Sequence, residues 1–166
     1  MGTGLLIIRA VIGVTLMGHG TQKLFGWFGG HGLEATGEGF ERLGFRPGRV
    51  FALIAGTAEA GGGLLLLTGS LTPLAAAVVA GTMLNAALSA HRGNGFFLQN
   101  RGWEYTFVLG GVALALAFTG PGADSLDHVL GWNPAGTAWG FVAVAAALLV
   151  GLATDLYRRR KLAAMS

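Results

Sequence analysis

The sequence contains no cysteine. That absence removes disulfides, thiolate nucleophiles, cysteine-ligated metal and thiol–disulfide exchange from consideration. Charge is scarce as well: 11 Lys and Arg with 8 Asp and Glu make 11% of the 166 residues, against about 25% in an ordinary soluble domain. This excludes a typical soluble enzyme. It also excludes a disordered chain, which needs low hydrophobicity and high charge. The formal charge of +3 and the pI near 10 do not point to nucleic acid, because the basic residues form no stripe interleaved with stacking aromatics.

What is present is apolar. Hydrophobic residues reach 52%, glycine contributes 30 positions, and the mean hydropathy is +0.60. Five stretches approach the roughly 20 residues needed to cross a bilayer core. Leu5 to Phe25 is interrupted by Arg9, His19 and Lys23; Val50 to Leu67 carries Glu59 in its middle. Leu74 to Ala90 contains Asn85, Trp103 to Phe118 is entered through Glu104, and Ala138 to Leu156 is dominated by Ala, Val, Leu and Gly until Asp155. The expected fold is therefore all-α, an integral membrane helical bundle. Met1 to Gly4 carries no positive side chain and no A-x-A site follows the first run, so that run is expected to be a retained helix rather than a cleaved signal. Thr72 is an expected N-cap before Pro73, and Pro47 and Pro134 punctuate the approaches to the second and fifth helices.

Loop charges predict orientation. Lys23, Arg42, Arg46, Arg49, Arg92, Arg101 and the run Arg158, Arg159, Arg160, Lys161 fall on one side of a five-span chain, whereas the 119–137 loop carries Asp124 and Asp127 without Lys or Arg. The positive-inside rule puts the N-terminus outside and the basic tail in the cytoplasm, as in a multi-pass cell inner membrane protein. Arg9 is the dissenting cation and is expected to snorkel to the outer surface. Between the first two spans, Leu33 to Phe45 mixes Leu33, Phe40, Leu43 and Phe45 with Glu34, Glu38, Glu41 and Arg42. An amphipathic surface helix and an irregular loop broken by Gly32, Gly37, Gly39 and Gly44 are both consistent with this pattern.

Polar groups within the spans carry the functional signal. A carboxylate at mid-bilayer costs about 2.5–3.5 kcal/mol on insertion scales, so Glu59 needs a partner, a proton or a polar cavity. His19 and Lys23 lie four apart on one helix face beside Gln22. Alternating helix direction brings Gln22, Lys23, Asn85, His91, Glu104 and Tyr105 toward one side, with His19 and Glu59 deeper. These eight residues form a candidate polar pocket. The structural alternatives are a snorkelling Lys23, interhelical hydrogen bonding by Asn85, interfacial Trp103 and Tyr105, terminal His91 and Glu104 meeting water, and a structural pair of Glu59 with Lys23 or His19. No metal-ligand spacing is present, and no phosphate loop or Ser-His-Asp pattern is convincing.

The run His19-Gly20-Thr21-Gln22-Lys23-Leu24-Phe25-Gly26-Trp27-Phe28-Gly29-Gly30 resembles the signature of the DoxX family of small membrane proteins. The resemblance continues through Leu43-Gly44-Phe45, Glu59 with Gly61-Gly62, Leu71-Thr72-Pro73-Leu74-Ala75-Ala76, Asn94-Gly95-Phe96-Phe97, Glu104-Tyr105 and Gly120-Pro121-Gly122. It implies a four-helix DoxX-like core over residues 1–130, with 131–166 adding a fifth C-terminal transmembrane helix and a basic tail. The family takes its name from a component associated with a terminal quinol oxidase, and relatives occur in thiosulfate:quinone oxidoreductase and in oxidative-stress assemblies. Its distant thiol-redox cousins use cysteines, which this chain lacks.

The resemblance implies a membrane subunit or accessory factor of a respiratory or redox complex, with a quinone as the candidate non-covalent cofactor at the polar pocket. The chain has no evident electron carrier, so any oxidoreductase activity would depend on a partner. The partner classes that fit are the lipid bilayer, redox-protein subunits and further copies of the chain. The alternative is a non-enzymatic membrane scaffold, assembly factor or small-molecule transporter.

Overall fold

In hydrocarbon every backbone N–H and C=O must find an internal partner, so long apolar runs become helices. The computed structural model describes residues 2–164, and their regular structure is entirely helical. Its elements are α1 (Gly2–Phe25), α2 (Gly32–Arg42), α3 (Gly48–Thr68), α4 (Thr72–Ser89), α5 (Glu104–Thr119), α6 (Leu126–Val129) and α7 (Thr137–Ala163). Short 3-10 turns follow α1 at Trp27–Gly29 and precede α5 at Leu98–Asn100. α1, α3, α4 and α7 are long and apolar enough to cross a membrane. The 16 residues of α5 rise about 24 Å at about 1.5 Å each, short of the roughly 30 Å hydrocarbon core. The five apolar runs of the sequence are thus five helices, one of them short.

The core is formed by four of them. Ile12 and Leu16 of α1, Leu66 of α3, Val79 and Met83 of α4, and Leu109 and Leu116 of α5 share one buried cluster. α7 lies outside this group against α4 and α5, where Ala76, Ala117 and Ala143 form a second, all-alanine contact. Small residues permit that close approach in lipid, where no hydrophobic drive pulls helices together. α2 packs on α3 and α1. The segment whose pattern fits either a helix or a loop is therefore helical, with its glycines in use. A methyl group at Gly37 would sit 3.0 Å from the Arg49 backbone, and Glu41 Oε1 accepts from Gly48 N (3.1 Å) at the start of α3.

At the end bearing the α3–α4 turn, polar groups close on one another. Gly69 (φ 65°) terminates α3 in the left-handed region, with Gly69 N and Ser70 N donating to Leu66 O and Leu65 O. Asp127, buried on the α5–α7 connection, then caps α4 from a distance in sequence. Its carboxylate accepts from Leu71 N (2.8 Å), Thr72 N (3.0 Å) and Thr72 Oγ1 (2.8 Å). Thr72 is consequently the first helical residue and not the N-cap; Leu71 takes that place at φ 47°. Arg9 differs from expectation too. It is fully buried, donates to the Asp124 carbonyl, and has Asp124 and Asp127 within electrostatic reach. The α5–α7 connection folds over it, so it does not extend to the surface.

At the opposite end the basic tail carries more than topology. Arg158 is buried and donates to Leu43 O (3.2 Å), Leu88 O (3.2 Å) and Asp155 Oδ1 (2.6 Å), while Arg159 Nε takes Asp155 Oδ2 (2.6 Å). The Arg158 guanidinium also lies 5.9 Å from the Phe45 ring centroid. One side chain thereby joins the ends of α2, α4 and α7.

The Asp127 cap is expected to matter for stability out of proportion to its loop position. Asp127→Ala should lower unfolding stability in detergent by about 2–3 kcal/mol, because a charged acceptor of three hydrogen bonds is lost. Thermal unfolding followed by tryptophan fluorescence checks this; an unchanged midpoint would mean that the α4 N-terminus is satisfied otherwise.

Candidate functional site

The site begins where α1 meets α3. A methyl group on Gly20 would lie 2.5 Å from Ala60 N and 2.6 Å from Gly56 O, and one on Gly13 would lie 2.6 Å from Gly63 O. Only glycine lets these backbones approach so closely. Lys23, three residues beyond Gly20, is thereby set against Glu59 of α3. Lys23 Nζ and Glu59 Oε2 are 2.5 Å apart, with the carboxylate side chain 6% exposed. This answers the requirement posed by a carboxylate within an apolar span.

On the same face of α1, four residues before Lys23, His19 Nε2 meets Tyr105 Oη of α5 at 2.9 Å, with the rings edge to face at 5.5 Å between centroids. Glu59 lies within electrostatic reach of Tyr105. A polar line therefore crosses the bundle from α5 through α1 to α3, and its members are half-buried or buried.

Beyond Glu59 the line enters a cavity of about 650 Å³, within the usual range of roughly 300–1,000 Å³ for small-molecule sites. Its walls come from α3, α4 and α7, and Phe40, Leu43 and Phe45 at the end of α2 close it at the basic end. The lining is predominantly apolar. Its polar members include Lys23, Glu59, Thr82, Asn85, Ser89 and His91. Asn85 Oδ1 is buried with no hydrogen-bond partner among the described residues. Exposed Ile54, Leu74 and Val150 flank the cavity. A shallow apolar furrow continues from it along α3 past Thr57 and Gly61 to Leu65.

The eight residues singled out from sequence thus divide. Lys23, Glu59, Asn85 and His91 share the cavity, and His19 with Tyr105 sits behind Glu59. Gln22 and Glu104 do not line it. Gln22 Nε2 donates to Phe28 O (3.1 Å), holding the turn in which Phe28 has φ 53°, and Gly30 packs directly on the Gln22 backbone. Glu104 Oε2 accepts from Leu98 N (2.8 Å) and its own N–H donates to Phe96 O (2.8 Å). Helix direction places both at the correct end; their loops claim their side chains. His91 is held from the same loop, its Nδ1 on the Arg101 carbonyl at 2.7 Å.

Sequence reasoning missed the cavity's roof and its fastening. Phe45 is buried between Phe40 (5.4 Å) and Phe51 (5.3 Å), and Phe51 stacks on Tyr157 at 5.5 Å. Asp155, the charge ending an otherwise apolar run, and Arg158 three residues later were the available signal: an i,i+3 pair of opposite charge on one helix face.

The DoxX family model matches residues 4–92, from α1 through α4. The chain is also similar to inner membrane protein YqjF of Escherichia coli (strain K12). The two are 32% identical over 127 residues, covering 76% of this chain and 92% of that protein. No solved structure gives a significant match.

Breaking the central pair should be far more costly than removing it. Lys23→Met leaves Glu59 buried without its counter-charge and is expected to lose about 3–5 kcal/mol. Adding Glu59→Gln to that variant should recover most of the loss. Unfolding of the four proteins of this cycle by denaturing detergent measures the coupling, and strictly additive effects would show that the pair is not coupled.

Proposed function

The chain belongs to the DoxX family, and from that premise we propose that it is an inner-membrane subunit or accessory factor of a redox system, holding the ring of a membrane quinone beside Lys23, Glu59 and Asn85. The observation that carries this reading is the largely apolar cavity with a short polar edge, flanked by exposed apolar side chains and set between helices long and apolar enough to span the bilayer. Such a place suits a flat, weakly polar ring with a hydrocarbon tail. The donor set fits as well. Quinone carbonyls accept hydrogen bonds, and both the Lys23 ammonium and the Asn85 amide can donate.

A bound quinone supplies carriage of electrons and protons, and the electrons would arrive from a partner. The chain's own residues orient the ring and handle protons. Glu59 holds or releases a proton at Oε2, where Lys23 stabilises the ionised form. His19 Nε2 and Tyr105 Oη, 2.9 Å apart, extend the polar line behind Glu59. The Phe40–Phe45–Phe51 roof keeps bulk water from the ring.

Orientation follows from charge. The end carrying Arg42, Arg46, Arg49, Arg92, Arg101 and Arg158 to Lys161 is assigned to the cytoplasm and the N-terminus to the outside. Arg9 does not oppose this, because it is buried near Asp124 and Asp127 and is not a free loop cation.

Extraction of the tagged chain from its own membrane in mild detergent, followed by chromatography of the organic extract, tests the reading. Quinone is expected above the level found with an unrelated membrane protein of similar size, and Asn85→Leu with Lys23→Met should reduce it at least fivefold. Background quinone with an intact partner complex would overturn ring binding in favour of a scaffold. Substrate flux in liposomes holding this chain alone would favour a transporter.

A further inference from the structure

The hydrogen-bonding polarity of the cavity is lopsided. Three hydroxyl side chains line it, and each commits its hydrogen to its own helix four residues back. Thr82 Oγ1 donates to Val78 O (2.9 Å), Ser89 Oγ to Asn85 O (2.7 Å) and Thr154 Oγ1 to Val150 O (2.6 Å). Their oxygens retain only acceptor capacity. His91 is committed in the same sense. A carbonyl can only accept, so His91 Nδ1 carries the proton in its 2.7 Å bond to Arg101 O. Glu59 is an acceptor, with Oε2 on Lys23. Asn85 Oδ1 is buried with no donor opposite it among the described residues. The remaining donors are the spare hydrogens of Lys23 and the Asn85 amide nitrogen.

A buried acceptor without a donor is a standing cost that a ligand can relieve. We infer that the cavity selects a molecule whose polar end donates a hydrogen bond, a hydroxyl on a flat apolar ring, over the same molecule with that donor removed. Asn85 Oδ1 is the atom that receives it, with the Thr82 and Ser89 oxygens on the same helix as further acceptors. The inference rests on the proposed reading of the cavity as a ligand site, and it deepens that reading. It makes the hydroxylated, reduced ring the preferred occupant and the carbonyl ring the weaker one. The apolar body has its place as well, in the furrow along α3 bounded by Leu53, Gly61, Leu65 and Val78.

The test uses the full chain in lipid nanodiscs and titration calorimetry with four probes: an alkylphenol, its methyl ether, a short-chain benzoquinone, and a ring-free alcohol of matched length. The phenol is expected to bind at least tenfold more tightly than the ether, with the benzoquinone on the ether's side of that gap. Asn85→Leu should close the phenol–ether gap by weakening the phenol and leaving the ether unchanged, and Thr82→Val should narrow it, which keeps a readout should the first variant fold poorly. Equal affinities for phenol and ether would overturn donor selection while leaving the cavity a ligand site. A gap that survives in folded Asn85→Leu would overturn the assignment to Asn85. Binding by none of the four would overturn this inference and the ligand-site reading together. A ring-free alcohol that matches the phenol would uphold donor selection and overturn the requirement for a flat ring.

Discussion

The approach of α1 to α3 at glycine distance is the constraint on which the rest of the molecule depends. Gly13, Gly20, Gly56 and Gly63 remove the side chains that would otherwise hold the two helices apart, and lipid offers no hydrophobic force that could stand in for this close packing. Because the backbones meet there, a lysine one turn further along α1 reaches a carboxylate on α3 directly. Because that pair is satisfied, α3 can carry a charge through an apolar span and still pack on α4. The cavity lies on the far side of that charge and inherits its polar edge from it.

The two ends of the bundle use polar groups in opposite ways. At the α3–α4 turn, Asp127 accepts from three donors at the start of α4, and Arg9 is enclosed beneath the same connection. That end is closed. At the basic end the polar groups are drawn into loops, Gln22 to one turn and Glu104 to another, while Asn85 faces the cavity with an oxygen unmet among the described residues. Each end thus keeps a buried polar atom unmet among the described residues, Arg9 Nε and Nη1 at the closed end and Asn85 Oδ1 at the candidate site, and only the latter belongs to a residue that lines the cavity.

Much of this was legible in the sequence, and for identifiable reasons. Helix positions followed from runs of apolar residues, because bilayer thickness sets element length. Glu59 and Lys23 stood out since charge within such runs requires a partner, and alternating helix direction placed Asn85 and His91 with them. What escaped was tertiary. Nothing local shows that Asp127 reaches back 55 residues to cap α4, or that Thr72 yields the N-cap position to a left-handed Leu71. Hydropathy alone makes Arg9 a surface cation and Arg158 one of a basic cluster, since burial of an arginine depends on acceptors supplied by distant carbonyls. Gln22 and Glu104 lie at the same end as the cavity but bond loop backbone, because helix geometry fixes a direction and loop geometry decides what a long side chain touches.

Arg158 also has a place in time. A membrane chain is synthesised and inserted from its N-terminus, so the carbonyls of Leu43 and Leu88 emerge long before the guanidinium that joins them, 115 and 70 residues later. Until the last helix arrives, the aromatic roof formed by α2 rests on α1 and α3 alone and lacks the Arg158 bond and the Phe51–Tyr157 stack. A chain released before Arg158 would lack the side chain that ties the ends of α2 and α4 to α7.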